Sequence, residues 1–418
     1  MRTLLLALTF SFSCSSLAPL APTLRADEAL SPARVTALRT QIRANFFVPD
    51  PLPALDAKTH RHFTPAPGVK AEAVTYATEL GTRVPAILYL PDPLPAGKIP
   101  GFVVVTGHGG DKYSWYSWYA GIAFARGGMA VLTYDQAGEG ERSGTRKSNA
   151  REHDALEGGE VMARRLFGLM LTDVMQSVSY LASRPEVDPH RIGATGFSMG
   201  SFVMAIGGAV EPRLHAVVLA AGGNLSGAGD YWDSSPKLMC QGLPSQSLRF
   251  LGDQAAVLYA LQAARGPLLI RNGKVDQVIT PQKTFEPFFA DLQARTAKLH
   301  GSREGVFEFG FKEGTGHRPY FLEQPAVLWL EKQLNFPNWT EAQIRALPET
   351  HISEWAKHTG VPADSDEVRG GGTLAVGGDV PGFSREDLSV FSPAEWDAHK
   401  GELTFAAWTA AAKAASAK

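Results

Sequence analysis

Cysteine is almost missing from this chain: two occur in 418 residues, Cys14 and Cys240. Cys14 falls in an N-terminal stretch that reads as a leader. A mature monomer would then keep only Cys240 and hold no internal disulfide, even in an oxidising compartment. Cys240 itself is expected to be buried and inert. Excess charge of either sign is also missing. Lys and Arg number 40 against 42 Asp and Glu, for a formal net charge of -2. That excludes the electrostatic footprint of a nucleic-acid or anionic-membrane partner and points to a small or neutral substrate. No apolar run is long enough to span a bilayer comfortably. Leu4 to Phe10, preceded by Arg2 and followed by small residues around Ala26, reads instead as a secretory signal peptide over 1–26. The expected location is secreted or periplasmic, with no membrane span in the mature chain. Lipidation at Cys14 is not expected, because Ser11-Phe12-Ser13 lacks the usual aliphatic residue three positions upstream. No H-E-x-x-H and no paired Cys/His spacing occurs, so neither a metal nor a cofactor is expected. Internal repeats are absent as well.

What is present is a strong strand and helix alternation. After a Pro-rich approach segment (27–68), Val69 to Tyr76 and Arg83 to Leu90 alternate as an opening antiparallel hairpin. Pro100 to Thr106 is a continuous β-branched run, as a strand buried on both faces should be. Short strands follow at Met129 to Tyr134, Arg191 to Thr195, Ala216 to Ala220, Pro267 to Asn272 and Val306 to Phe311. Helical spacing over Tyr113 to Ala125, Phe167 to Ser183, Pro281 to Lys298 and Tyr320 to Leu334 separates them. This alternation implies an α/β class with a mostly parallel sheet and right-handed crossovers, spanning 69–334. Two segments exceed that plan. One is an insertion, 222–261, after the sixth core strand, which reads as a lid, a pocket wall or a plain surface excursion. The other is a C-terminal extension, 335–418, whose Trp355, Trp396 and Trp408 need somewhere to pack.

Gly196-Phe197-Ser198-Met199-Gly200 spells G-x-S-x-G at the end of an apolar strand and before a small-residue helix. Glycines two residues either side of the serine let strand and helix approach closely enough to hold the hydroxyl on a sharp turn. Asp276, in a loop after a later strand, and His317, after the last strand, follow in the order nucleophile, acid, base. Asp230 or Asp233 could supply the acid instead. Charge developing on a carbonyl oxygen needs two N–H donors. Met199 N–H is one. The other comes from Thr106-Gly107-His108-Gly109-Gly110, with His108 favoured over Gly110 and acting through its backbone. The charged turn Asp135 to Ser143 reads as a hydrogen-bonded turn rather than a second acid-base pair. The aromatic run Tyr113 to Tyr119 could pack a helix or offer a stacking surface for a sugar or aryl group.

Taken together, Thr106 to Gly110, the Asp135 to Ser143 turn, Arg184 to Asp188 leading into Gly196 to Gly200, and the later Asp276 and His317 resemble the bacterial α/β-hydrolases. More narrowly, they are similar to the acetyl xylan esterase and dienelactone-hydrolase-like group. The resemblance covers about 69–334 and implies an α/β-hydrolase fold with Ser198, Asp276 and His317 as catalytic triad. Met199 and Ser201 stand where cephalosporin-deacetylase-type esterases usually carry Gln and Gly, and Ser198 stands where dienelactone hydrolases use Cys. The leading expectation is a secreted serine carboxylesterase for short acyl esters, including carbohydrate acetates, whose partner is a small-molecule or carbohydrate ester. A prolyl-oligopeptidase-like peptidase and a non-catalytic binding module on the same fold are the alternatives.

Overall fold

The computed structural model describes residues 29–278, 285–363 and 372–416. The expected leader over 1–26, with Cys14, and the expected helix start at Pro281 lie outside the described residues. Nine strands form one sheet: β1 Lys58–Ala66, β2 Val69–Ala77, β3 Arg83–Pro91, β4 Ile99–Val105, β5 Ala130–Tyr134, β6 Val187–Phe197, β7 Leu214–Ala220, β8 Leu268–Gly273 and β9 Glu308–Lys312. Their order is β1-β2-β3-β5-β4-β6-β7-β8-β9. The first three strands and the β3–β5 pair run antiparallel, and β5 through β9 pair in parallel.

Side-chain alternation explains why the central strands read as unbroken apolar runs. On β4, Val103 and Val105 point into one core while Phe102 and Val104 point into the other. Both faces are therefore dry, and β-branched residues fill them. One face is covered by helices α1 (Pro32–Asn45), α3 (Gly159–Ser183) and α4 (Met199–Val210). The other carries α2 (Trp115–Arg126) and the helix Gln324–Leu334.

One segment departs from the expectation. Lys58–Ala66, read as part of an approach segment, is a paired strand. It sits at the sheet edge, mostly exposed, and its Lys-Thr-His-Arg-His sequence and Pro65 give no apolar alternation to detect. It shifts the insertion 222–261 from behind a sixth strand to behind the seventh. The C-terminal segment buries Trp355, Trp396 and Trp408. It packs on the α2 face up to Leu403, runs past β1 where Arg61 donates to the Asp387 and Ser389 carbonyls, and ends with Phe405 and Trp408 in the opposite core.

Candidate active site

Ser198 sits between the end of β6 and the start of α4 at φ 54° and ψ -117°. A side chain held there stores strain of about 1 to 3 kcal/mol, which persists only where the surroundings enforce it. They do. Ser198 N–H donates to the Ala220 carbonyl at 3.0 Å, and the Ser198 carbonyl accepts from Ser201 and Phe202. A Cβ on Gly196 would lie 2.1 Å from the Gly200 carbonyl oxygen, and one on Gly200 2.3 Å from that of Val105. The two motif glycines are thus required by close backbone approach.

Asp276 is fully buried in the loop after β8 and accepts from His317 Nδ1 at 2.8 Å. An ionised carboxylate can only accept, so Nδ1 carries the proton and Nε2 presents a lone pair. The second carboxylate oxygen takes the Val278 N–H at 2.9 Å, which fixes the rotamer. The alternative acids are committed elsewhere. Asp230 accepts from Ser226, Gly227 and Asp233 N–H groups, and Asp233 holds Arg249 in a forked pair. Tyr320, which sequence periodicity assigned only to a helix, braces the two loops. Its hydroxyl bonds Thr315 at 3.0 Å and the Gly316 carbonyl, while Val275 N–H donates to the Thr315 carbonyl. The His317 ring packs on Phe197, the residue before the serine, with centroids 5.0 Å apart.

The turn after β4 passes beside the elbow: a Cβ on Gly107 would be 3.3 Å from Ser198 Cβ. Gly110 N–H is used within the turn, donating to the Gly107 carbonyl at 2.9 Å. Gly107 N–H donates to Tyr116 Oη at 3.0 Å. Among the described residues no hydrogen bond engages the N–H of His108 or of Met199. These two remain available to an oxyanion, and the Gly110 alternative loses its donor. Beneath the turn lies a buried ionic network in which Lys112 reaches Asp135 at 2.5 Å and Glu141 at 2.7 Å, and Arg142 reaches Asp173. Asp135 to Ser143 is accordingly a structural turn.

Ser198, His108 and His317 line a cavity of about 800 Å³. Its walls include four basic residues, Lys147, Arg151, Arg318 and Arg385, and no Asp or Glu among the described lining residues. None of the lining comes from the insertion 222–261, whereas Pro362, Ala363 and Arg385 come from the C-terminal segment. Arg385 is held by buried Asp111 at 3.0 Å, by Ser148, and over the Tyr113 ring at 4.6 Å. Burial first, and then the neighbouring Asp135, raise the Asp111 carboxyl above its ordinary range. The aromatic run divides its work: Trp118 and Tyr119 pack against Trp355, while Tyr113, Trp115 and Tyr116 also reach the cavity wall. Among the described residues, one cluster of side chains able to ligate a metal, His108, His153, Asp154 and Cys240, adjoins the turn and matches no sequence motif.

A mostly parallel sheet with a serine on a strand-to-helix elbow, an acid after a later strand and a histidine after the last defines an α/β-hydrolase. Residues 53–222 match the family model described as acetyl xylan esterase (AXE1), and residues 161–337 match that of the prolyl oligopeptidase family. The second stretch spans Ser198, Asp276 and His317. A 91-residue stretch is 32% identical to YtaP of Bacillus subtilis (strain 168), designated a candidate hydrolase. It covers 22% of this chain and 29% of YtaP, so the chain matches under a third of that relative's length. Methylesterase BT1017 is similar in structure at TM-score 0.59, with 18% identity over 91% of this chain and 73% of the other. A glucuronoyl esterase from Solibacter usitatus follows at TM-score 0.52, 16% identity, 77% and 99% coverage. The acetyl xylan esterase from Paenibacillus sp. R4 gives TM-score 0.50, 17% identity, 73% and 96% coverage. At these identities the structural likenesses show the fold. The chain has the α/β-hydrolase fold and is related, over part of its length in each case, to the acetyl xylan esterase (AXE1) and prolyl oligopeptidase families.

Proposed function

We propose that this protein is an exported serine carboxylesterase, with its catalytic domain over 69–334, that hydrolyses short acyl esters, carbohydrate acetates among them. The observation that carries this reading is a strained Ser198 sharing one cavity with a His317 whose Nδ1 is fixed by buried Asp276. His317 Nε2 takes the Ser198 proton as Oγ attacks the acyl carbon. The carbonyl oxygen becomes an oxyanion between the His108 and Met199 N–H groups. His317 then returns the proton to the departing alcohol, leaving an acyl-Ser198. Water, activated by the same histidine, attacks that ester and restores the serine. The basic lining favours substrates that carry negative charge beside the scissile ester, such as acylated acidic sugars.

The test is hydrolysis of 4-nitrophenyl acetate, butyrate and octanoate by the chain lacking 1–26, beside Ser198→Ala. Acetate should be preferred, and the variant should lose on the order of 10⁶ in kcat. Unchanged hydrolysis in Ser198→Ala would sink the mechanism. The match of 161–337 to the prolyl oligopeptidase family supports a second reading, a serine peptidase. Cleavage of a chromogenic dipeptide faster than the acetyl ester would reverse the order.

A further inference from the structure

We propose that His108, His153, Asp154 and Cys240 form a binding site for one divalent cation of the zinc type. Their ligating atoms all lie within 4.8 Å of one another. His108 Nε2 is 2.8 Å from Asp154 Oδ1, His153 Nε2 is 3.6 Å from it, and Cys240 Sγ is 3.6 Å from it. With bonds of about 2.0 to 2.3 Å, ligands around a tetrahedral zinc sit roughly 3.3 to 3.8 Å apart. Occupation would open the shortest separation by about half an ångström and draw the longest in by about one.

The orientation of His153 is the second observation. Its Nδ1 faces the Ala137 carbonyl at 2.8 Å. A carbonyl only accepts, so Nδ1 carries the proton and Nε2 is a bare lone pair. That nitrogen is fully buried and has no hydrogen-bond partner, yet it points at a carboxylate oxygen. His153 Nε2 is thus a buried acceptor without a donor, aimed at a carboxylate that is itself open to solvent and already met by His108 Nε2. A backbone carbonyl behind a ligating imidazole is the usual outer support of a metal-bound histidine. The remaining ligands suit the same ion. Cys240 is buried, and Asp154 is partly exposed, leaving an entry path from solvent.

Binding involves no redox change. The Cys240 thiol releases its proton to solvent. His108 moves its proton from Nε2 to Nδ1, and four coordinate bonds form. One thiolate, one carboxylate and two neutral imidazoles balance the double charge of the ion, which removes the penalty of burying net charge. The cation would join three segments remote in sequence: the turn after β4, the turn at Glu152–Ala155, and the helical turn Leu238–Gly242 of the insertion. The insertion that walls no part of the cavity would thus be tied to the turn that carries the His108 N–H.

The test is direct titration of the chelator-treated full mature chain with cobalt and then zinc, beside Cys240→Ser and Asp154→Asn. Wild type should take up one equivalent of cobalt, with a sulfur-to-cobalt charge-transfer band that zinc abolishes. Cys240→Ser should lose the band, and Asp154→Asn should weaken binding at least about tenfold, both with native circular dichroism. No uptake at micromolar metal, uptake without the band, or equal uptake by the variants would overturn the site. Esterase activity does not enter either readout. Should one variant fail to fold, the wild-type stoichiometry and band still decide the proposal.

Discussion

A serine hydroxyl attacks only when a base can take its proton, so the group that orients the base is the sharpest probe of this site. Asp276 accepts from His317 Nδ1 and from no other imidazole. In Asp276→Asn the amide offers N–H instead, Nδ1 must become the acceptor, and the proton moves to Nε2, where it blocks general-base action. Ester hydrolysis is expected to fall by about 10⁴ in kcat with little change in thermal stability. A fall of less than tenfold, measured on 4-nitrophenyl acetate, would place the acid elsewhere. At this scale much was legible. G-x-S-x-G encodes its own elbow within five residues, and chain order assigns the acid and base. Tyr320 was not legible, because an aromatic at a helical spacing looks the same whether it packs a core or hydrogen-bonds a loop.

At the scale of elements, the two segments that exceed a minimal hydrolase stand in different relations to the cavity. The insertion 222–261 reads from sequence as a lid, a pocket wall or a surface excursion, and none of the described cavity lining belongs to it. Its Trp232 stacks on Phe202 of α4 at 4.6 Å and its indole N–H is held by Asn224, so it packs on the scaffold. The C-terminal segment instead supplies Arg385 to the cavity. For an ester whose alcohol portion carries a carboxylate, Arg385→Gln is expected to raise KM by about tenfold, the scale of one hydrogen bond to a charged group. A neutral ester should keep its KM within about twofold. Equal increases for both substrates would assign Arg385 a purely structural part through Asp111. The sequence of the tail advertised a docked appendage through its tryptophans. It could not advertise where the tail docks, since nothing in a Trp codon-by-codon pattern names its partner surface.

Across the whole molecule, the contact of the helix Phe405–Ser416 with the segment beside β2 makes one contribution to the pH dependence of stability. Trp408 in the terminal helix donates its indole N–H to Glu79, beside β2, at 2.7 Å. Burial raises the Glu79 carboxyl to about 7 against the opposing pull of that hydrogen bond. The folded state therefore keeps a proton that the unfolded chain loses near its ordinary value of 4.5. The contribution of this carboxyl is full below about pH 4.5, declines as pH rises, and is lost above about pH 7. Glu79→Gln should melt higher than wild type at pH 8, by a difference on the order of 2 kcal/mol, and should match it near pH 4. A difference independent of pH would show that the carboxyl does not titrate in that range. The sequence by itself determined the parallel sheet, the elbow and the chain order of Ser198, Asp276 and His317. Each is written in local signals: β-branched runs for strands buried on two faces, and glycines that permit a close approach. Tertiary structure alone decided which segment walls the cavity, that the wall is basic, and that His108, His153, Asp154 and Cys240 meet. The pairs responsible, such as His108 with Asp154 across 46 positions and Arg385 with Asp111 across 274, have no periodicity to reveal them. Such contacts arise only when the sheet and its helices bring distant turns to one end of the strands.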